Sequence, residues 1–288
     1  MYSIYSHLLC NIIYYIIITM SKITIVGHQG FGDFFSQNAI YNYHIDNNKE
    51  IVIFALDNKR KILLEHMFFD KKNVKIVVPE MVHYNECDCQ TCMICMTFGN
   101  VNKCPRNGEK CLYIDYSYYN EYKHIKLASF DNYEKWSNFI INSYSFSHAF
   151  YLYHNYKISM RIELFNVYRN IKHEKNIYDE YVKSINYNKY IIIHDSMRYK
   201  LNISNEKNYE IYNLDNVSDN MIDQLMLIEN SEEIHLLDSS YSCLIYFMCL
   251  KFNFYKNKKI YIHAYARESD RNINIYKNPQ PENFIILQ

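Results

Sequence analysis

Three of the five glycines in this 288-residue chain lie within six positions of one another, in the stretch "VGHQGFGDFF". Gly27, Gly30 and Gly32 follow an apolar segment and directly precede Asp33. Glycine allows close approach of the backbone, so the stretch predicts contact with a phosphate or a sugar, or else a tight turn with nothing bound. The candidate substrate-binding residues here are Gly30, Gly32 and His28, which lies between Gly27 and Gly30.

Asp33 stands at the predicted start of a helix and is the candidate catalytic base. An ionised carboxylate can take a proton from a sugar hydroxyl in the transition state. The same charge would repel a pyrophosphate bound at that helix start, which disfavours a dinucleotide site there. Ordinary helix capping is an alternative role for Asp33. A nicotinamide enzyme is an alternative function, because Asp57 ends the second predicted strand, where a ribose-binding acid would lie.

A second polar group lies in the carboxyl-terminal half, in the sequence "LLDSSYSCL". Asp238, Ser239 and Ser240 are placed there at the end of a predicted strand and the start of a helix. A helix amino terminus binds phosphate through its N–H groups and its dipole, and serine hydroxyls add donors. Plain capping explains the same serines, so both interpretations stay open.

Two other segments could contribute to the same site. The predicted strand "IIIHDS" ends in His194, Asp195 and Ser196. Arginine holds phosphate through a planar fork of donors, so Arg198 and Arg267 are candidate contacts for a diphosphate. Surface ion pairs are the alternative for both arginines.

Six of the nine cysteines fall in one segment, "ECDCQTCMICMTFGNVNKCPRNGEKC": Cys87, Cys89, Cys92, Cys95, Cys104 and Cys111. The Cys92-x-x-Cys95 pair, joined by the two cysteines that follow it, is typical of a structural four-thiolate zinc site, to which the first two could add. The four cysteines that begin at Cys89 suit an iron–sulfur cluster, and disulfides are the alternative for a secreted chain. The metal would serve folding.

Apolar segments alternate with helical patterns along most of the chain. In the first half, "ITIVG", "EIVIFAL" and "VKIVVP" predict strands, separated by helices at 33–43 and in "KRKILLEHMFF". A mostly helical stretch at 131–185 includes "SMRIELFNVYRN" and "IYDEYVKSI". Strands return in "KYIIIHDS", "YEIYNL", "EIHLLDSS" and "KKIYIHAYAR", around the helices "DNMIDQLMLIEN" and "YSCLIYFMCLK". Such alternation predicts parallel sheets covered on both faces.

Two α/β halves predict an α/β fold with two Rossmann-like domains facing a cleft, and a cysteine-rich insert in the first. The first domain is predicted at 20–185, with its insert at 86–112, and the second at 186–288. Residues 1–19 are predicted to be a dispensable extension ahead of the first strand, with a membrane anchor as the alternative.

The net charge of the chain indicates which classes of binding partner to expect. Lysine plus arginine number 31 and aspartate plus glutamate number 31, so the formal net charge is zero. Nucleic-acid binding normally requires a basic excess, so we expect no nucleic-acid partner. No signal-peptide pattern is present, and we expect a cytoplasmic protein without a membrane partner, unless the first residues anchor it.

Together these motifs resemble glycosyltransferases of the GT-B fold, in particular the heptosyltransferase-like group. The resemblance rests on Gly32-Asp33 after the first strand and on Asp238-Ser239-Ser240 at a late strand–helix turn. It implies a nucleotide-sugar donor held mainly by the second domain, a carbohydrate or other hydroxyl acceptor held by the first, and Asp33 as the base. It also implies that catalysis needs no cofactor, because helix dipoles and basic side chains stabilise the leaving diphosphate. Ser240 stands where that group has glycine, and a sugar-binding or scaffold protein on the same fold is the non-enzymatic alternative.

Overall fold

The computed structural model describes residues 22–27, 30–79, 117–127, 146–195, 200–201, 203–214, 220–264 and 279–287, and the backbone of 81–84 and 111–114. The chain forms two compact units. The first contains the described residues of 1–29 and 40–133, and the second those of 30–39 and 134–288. The predicted cysteine site lies outside the described residues, apart from the backbone of Cys111.

The described part holds eleven strands and seven α-helices. The strands are β1 (Lys22–Val26), β2 (Glu50–Phe54), β3 (Val74–Val77), β4 (Met81–Tyr84), β5 (Cys111–Ile114), β6 (Lys123–Lys126), β7 (Tyr190–His194), β8 (Glu210–Asn213), β9 (Glu233–Leu237), β10 (Ile260–His263) and β11 (Phe284–Leu287). The helices are α1 (Phe31–Asn47), α2 (Asn58–Met67), α3 (Phe146–Tyr153), α4 (Met160–Glu163), α5 (Ile171–Ser184), α6 (Leu225–Asn230) and α7 (Ser240–Phe252).

The first unit is built on a four-stranded parallel sheet with the order β3-β2-β1-β6. Its central strands are continuous apolar runs because both faces are covered: Ile51 and Val52, which point to opposite faces, are both buried. Phe54 packs against Tyr119 with ring centroids 5.3 Å apart, and Tyr119 packs on Tyr122. β4 and β5 form a separate antiparallel pair.

The second unit is built on a five-stranded parallel sheet with the order β8-β7-β9-β10-β11. One face of this sheet carries Tyr190, Tyr212 and Phe284, and three helices contact it. The Tyr190 hydroxyl donates to the carbonyl of Leu227 in α6, at 2.7 Å. The Tyr181 ring of α5 lies 4.2 Å from the Tyr212 ring, and α7 places a tyrosine against Phe284. This face is therefore the helix-covered side of the sheet.

The described residues 146–185 belong to the second compact unit. The reason is packing on α7, where the Phe165 ring stacks on the Phe247 ring with centroids 5.1 Å apart. The boundary between the two predicted domains, near residue 186, stays a prediction.

The predicted alternation of strands and helices is observed for most segments, but "SMRIELFNVYRN" is helical only at 160–163. The chain then runs extended, because Asn166 exchanges two 2.8 Å hydrogen bonds with the side chain of Asn38 in α1. The segment "DNMIDQLMLIEN" begins as a 3₁₀ turn at Met221–Gln224 before α6. Four strands were not predicted: β4, β5, β6 and β11.

In the described part of the chain, the helices are too short or too polar to cross a bilayer.

Candidate functional site

The second sheet reverses its winding between β7 and β9, and this places the candidate site. The chain leaves β7 for β8 on one side and returns to β9 on the other, from which it continues to β10 and β11. In open parallel sheets, ligands bind beyond the carboxyl ends of the strands at such a switch point. β7 ends at His194, and β9 ends at Leu237, directly before Asp238 and Ser239.

A hydrogen bond joins the two strand ends. The Ser239 hydroxyl lies 3.0 Å from Nδ1 of His194, and the His194 ring lies 4.6 Å from the Tyr241 ring. Ser239 is the N-cap of α7, and its N–H donates to the Ser242 hydroxyl at 2.7 Å. The Ser239 side chain also accepts from the backbone of Ser242 in this capping box, so capping is observed, whereas ligand binding by the serine stays a prediction.

The carboxylate of Asp195 is held in place by two hydrogen bonds. The residue is 4% exposed, and its Oδ1 accepts hydrogen bonds from Asn213 at 2.6 Å and from Lys200 at 3.1 Å. These bonds tie the end of β7 to the end of β8. Asp238, on the other side of the switch point, is 6% exposed.

Gly32, in the glycine-rich stretch, lies against the start of α7. A β-carbon on Gly32 would lie 3.5 Å from Cα of Ser240 and 3.3 Å from Sγ of Cys243. The second distance is tighter than ordinary contact, so glycine at this position allows the starts of α1 and α7 to touch. The structure thus brings together the two sequence motifs that lie more than two hundred residues apart.

Asp33 is the third residue of α1, and its carboxylate folds back over Gly30. A β-carbon on Gly30 would lie 2.3 Å from Asp33 Oδ2. The backbone N–H of Asp33 also donates to the Gly30 carbonyl at 3.0 Å, so the two residues form the first turn. Glycine at position 30 leaves room for this carboxylate.

The two helix starts differ in charge. α1 carries Asp33 in its first turn, whereas α7 carries no acidic residue there. Each helix start has partial positive charge, which favours a bound anion. The first turn of α7 therefore suits an anion better than that of α1, although Asp238 lies directly before the N-cap of α7.

Asp57, the residue on which a nicotinamide site would depend, caps α2. Its Oδ1 accepts the Arg60 N–H at 2.9 Å, and its Oδ2 pairs with the Arg60 guanidinium. Both carboxylate oxygens thus have partners within their own helix.

Several predicted site residues lie outside the described residues: His28, Ser196, Arg198, Arg267, Cys87, Cys89, Cys92, Cys95 and Cys104. The side chain of Cys111 is likewise outside them. Within the part of the chain that is described, no group of three or more metal-ligating side chains could hold an ion.

Four residues at this site were not predicted from the sequence: Lys200, Asn213, Tyr241 and Ser242. The spacing of Ser242 from Ser239 is the spacing of a capping box and could have identified it. The contacts of Lys200 and Asn213 with Asp195 depend on strand order, which no local pattern reveals.

No family model, curated protein or solved structure matches this chain.

Proposed function

We propose that this protein is a glycosyltransferase that moves a sugar from a nucleotide-sugar donor to a hydroxyl acceptor. The proposal includes a GT-B-like arrangement of two Rossmann-like domains that face a cleft, the second of which holds the donor. The observation that supports it most is the contact between Gly32 and Ser240, which brings the starts of α1 and α7 together next to the switch point.

The donor diphosphate binds at the start of α7. The helix dipole and the first N–H groups attract its charge, and the first turn of α7 contains no acid to oppose it. The Ser239 hydroxyl and the His194 ring lie side by side at this point and supply further hydrogen-bonding groups. Arg198 and Arg267 stay predicted contacts of the same diphosphate.

Asp33 is the base at the start of α1. Its carboxylate takes the proton of the acceptor hydroxyl as the acceptor oxygen bonds to the anomeric carbon and the bond from that carbon to the diphosphate breaks. The leaving diphosphate is stabilised where it already lies, by the helix dipole and hydrogen-bond donors. The two helix starts therefore have different roles: α1 carries the base, and α7 binds the diphosphate.

The nicotinamide alternative has less support, because both oxygens of Asp57 already serve its helix cap and Arg60. A ribose would have to compete with these contacts.

A thermal-shift experiment with two variants of Ser240 tests the donor site. A ligand that binds only the folded state raises the melting temperature, so a nucleoside diphosphate of the correct base should raise it for the wild-type protein. Ser240→Asp adds an acid that suits a helix start but repels phosphate, so this variant should fold and lose the shift. Ser240→Asn is the matched neutral control and should keep most of the shift.

The panel contains the common nucleoside diphosphates, their sugar conjugates and the nicotinamide dinucleotides. A shift with one nucleoside diphosphate and its sugar supports the transferase and identifies the base. If only a nicotinamide dinucleotide raises the melting temperature, or if Ser240→Asp binds a nucleoside diphosphate as well as Ser240→Asn does, the proposal is wrong.

A further inference from the structure

The second face of the five-stranded sheet carries a cavity that the proposed reaction does not use. This face is opposite to the one that α5, α6 and α7 contact. Residues 203–209, in the connection from β7 to β8, cross it, and a cavity of about 370 Å³ lies between them and the sheet. Its volume is within the range of about 300–1,000 Å³ that is usual for small-molecule sites.

The floor of this cavity contains two histidines that belong to neighbouring strands. His235 lies in the middle of β9 and His263 at the end of β10, and Nδ1 of His235 is 3.0 Å from Nε2 of His263. The His235 ring also stacks on the Tyr261 ring with centroids 4.6 Å apart. His235 is 8% exposed. Its ring is therefore fixed in position by two neighbours on β10.

The other ring nitrogen of His235 lacks a good partner. Nε2 of His235 is buried and has no hydrogen bond to the described residues; Oε2 of Glu233 is its neighbour at 3.5 Å. A buried polar atom without a hydrogen bond is costly, so a site that retains one calls for an explanation. His235 and Glu233 are both among the residues that line the cavity.

A hydroxyl group matches the space between these two atoms. Hydrogen bonds to a hydroxyl oxygen are about 2.7–3.0 Å long, so one oxygen can reach two atoms that lie 3.5 Å apart. A hydroxyl has one donor hydrogen and two acceptor lone pairs, so it can donate to Glu233 and accept from Nε2 of His235 when that nitrogen carries the proton, with Nδ1 then accepting from His263.

The charges around the cavity disfavour an anionic ligand. Its charged walls are Glu206, Glu233 and Lys207, and Lys207 is paired with Glu233 at 3.4 Å. Burial lowers the pKa of His235 below its ordinary value, because desolvation outweighs the opposing effect of Glu233, so the imidazole is neutral near pH 7. With Glu233 paired to Lys207, the charge left unbalanced on these walls is that of Glu206, which also opposes an anion.

We infer that this cavity binds a neutral, hydroxyl-rich ring compound, that is, a saccharide, with one hydroxyl held between His235 and Glu233. The ring lies against the apolar and aromatic wall formed by Ile191, Tyr261 and Leu287. This site is on the face of the sheet, whereas the proposed donor site is at the carboxyl ends of its strands. The inference does not depend on the transfer reaction.

The test is a titration of the full chain, labelled with ¹⁵N in its histidines, followed through the imidazole signals of His235 and His263. The probes are glucose, galactose, mannose, rhamnose and N-acetylglucosamine at millimolar concentrations, with inorganic pyrophosphate as an anionic comparison. We expect at least one saccharide to shift both imidazole signals in a saturable way, and we expect pyrophosphate to leave them unchanged.

Two variants and a control locate the binding. Glu233→Gln keeps the shape but removes the charged acceptor, and His235→Phe keeps the stacking on Tyr261 but removes Nε2. Each should weaken saccharide binding about fivefold to tenfold, as the loss of one hydrogen bond predicts. Glu232→Gln, on the neighbouring residue that pairs with Lys189, should bind normally.

The inference is overturned if none of the saccharides shifts the signal of His235. It is also overturned if binding is unchanged in both Glu233→Gln and His235→Phe, or if pyrophosphate alone produces the shift. Because Ser240→Asp should leave saccharide binding intact, failure of this inference and failure of the donor site can be told apart.

Discussion

The carboxyl edge of the five-stranded sheet and the face that lines the cavity both carry buried polar groups, but for different physical reasons. At the edge, Ser239 and Asp195 follow strand ends, where loops and a helix start need polar side chains, and their hydrogen bonds serve the fold. On the face, His235 and His263 stand within strands, where an apolar residue would pack at lower cost.

The difference teaches which polar residues are informative about function. An edge residue has a folding role that explains it without a ligand, so its function has to be tested against capping. A histidine in the middle of a strand is not needed to cap a helix or to end a strand, although His235 contacts His263 and Tyr261. Its buried Nε2 is therefore the stronger sign of a binding partner, although the edge has the residue types that are usual in catalysis.

The largest expected effect concerns Asp33 at the edge. Replacing a general base lowers turnover by about 10²–10⁴-fold, so Asp33→Asn should lose turnover to this extent while the donor-induced rise in melting temperature is unchanged. Asp46→Asn makes the same chemical change on the exposed last part of α1 and is the matched control. Turnover is measured as release of nucleoside diphosphate from the donor identified in the thermal-shift panel.

Near-normal turnover by Asp33→Asn would show that its carboxylate serves only the first turn of α1. The polar residues at the starts of α1 and α7 would then both serve helix capping alone. The edge would differ more clearly from the face, where capping does not explain the polar residues.

The next prediction concerns the close approach at Gly32. Gly32→Val places new atoms against Cys243 and Ser240, so it should lower the free energy of unfolding by about 1–3 kcal/mol, as overpacking does. Cys243→Ala removes the nearest atom, Sγ, and should recover part of this loss. The measurement is urea-induced unfolding of the two single variants and the double variant.

The two substitutions should be coupled, because their side chains share one contact. If the losses of free energy in the two single variants simply add in the double variant, the α1–α7 contact is not as tight as the structure indicates. The proposed division of work between the two helix starts would then lose its main support.

The sequence predicted the edge better than the face, and the reason lies in how each is built. Polar residues after an apolar run mark a strand end in a single local pattern, which is how Asp195 and Ser239 were found. The contact of Gly32 with Ser240 needs long-range packing, and the pairing of Asp195 with Asn213 needs the strand order. No pattern within a few residues contains that information.

The face could not be predicted, because a histidine between apolar residues is compatible with an ordinary exposed position on an alternating strand. In "EIHLL", His235 is two residues from Glu233, so both are expected on the same face and this face is expected to be wet. Only the stacking on Tyr261 and the bond to His263 show that the imidazole is buried.

The smallest effect is a dependence of stability on pH that comes from the face. Burial, with a contribution from His235, lowers the pKa of His263 to about 4, against an ordinary value of 6.5. In the unfolded chain His263 gains its proton near pH 6.5, whereas in the folded chain it gains it only near pH 4. The stability that depends on this histidine is thus complete above pH 6.5 and is lost as the pH falls from there to about 4.

Between about pH 7.5 and about pH 5, this difference in pKa corresponds to a loss of about 1–2 kcal/mol in the free energy of unfolding. His263→Gln keeps a donor near Nδ1 of His235 but does not titrate, so it should lose less stability over the same interval. Burial also lowers the pKa values of His44 and His148 to about 4, so the wild-type protein is acid-sensitive for several reasons. The informative quantity is therefore the difference between variant and wild type in urea unfolding at the two pH values. Equal losses would mean that the histidine pair is accessible to water and charges freely, which would remove the physical distinction between the face and the edge.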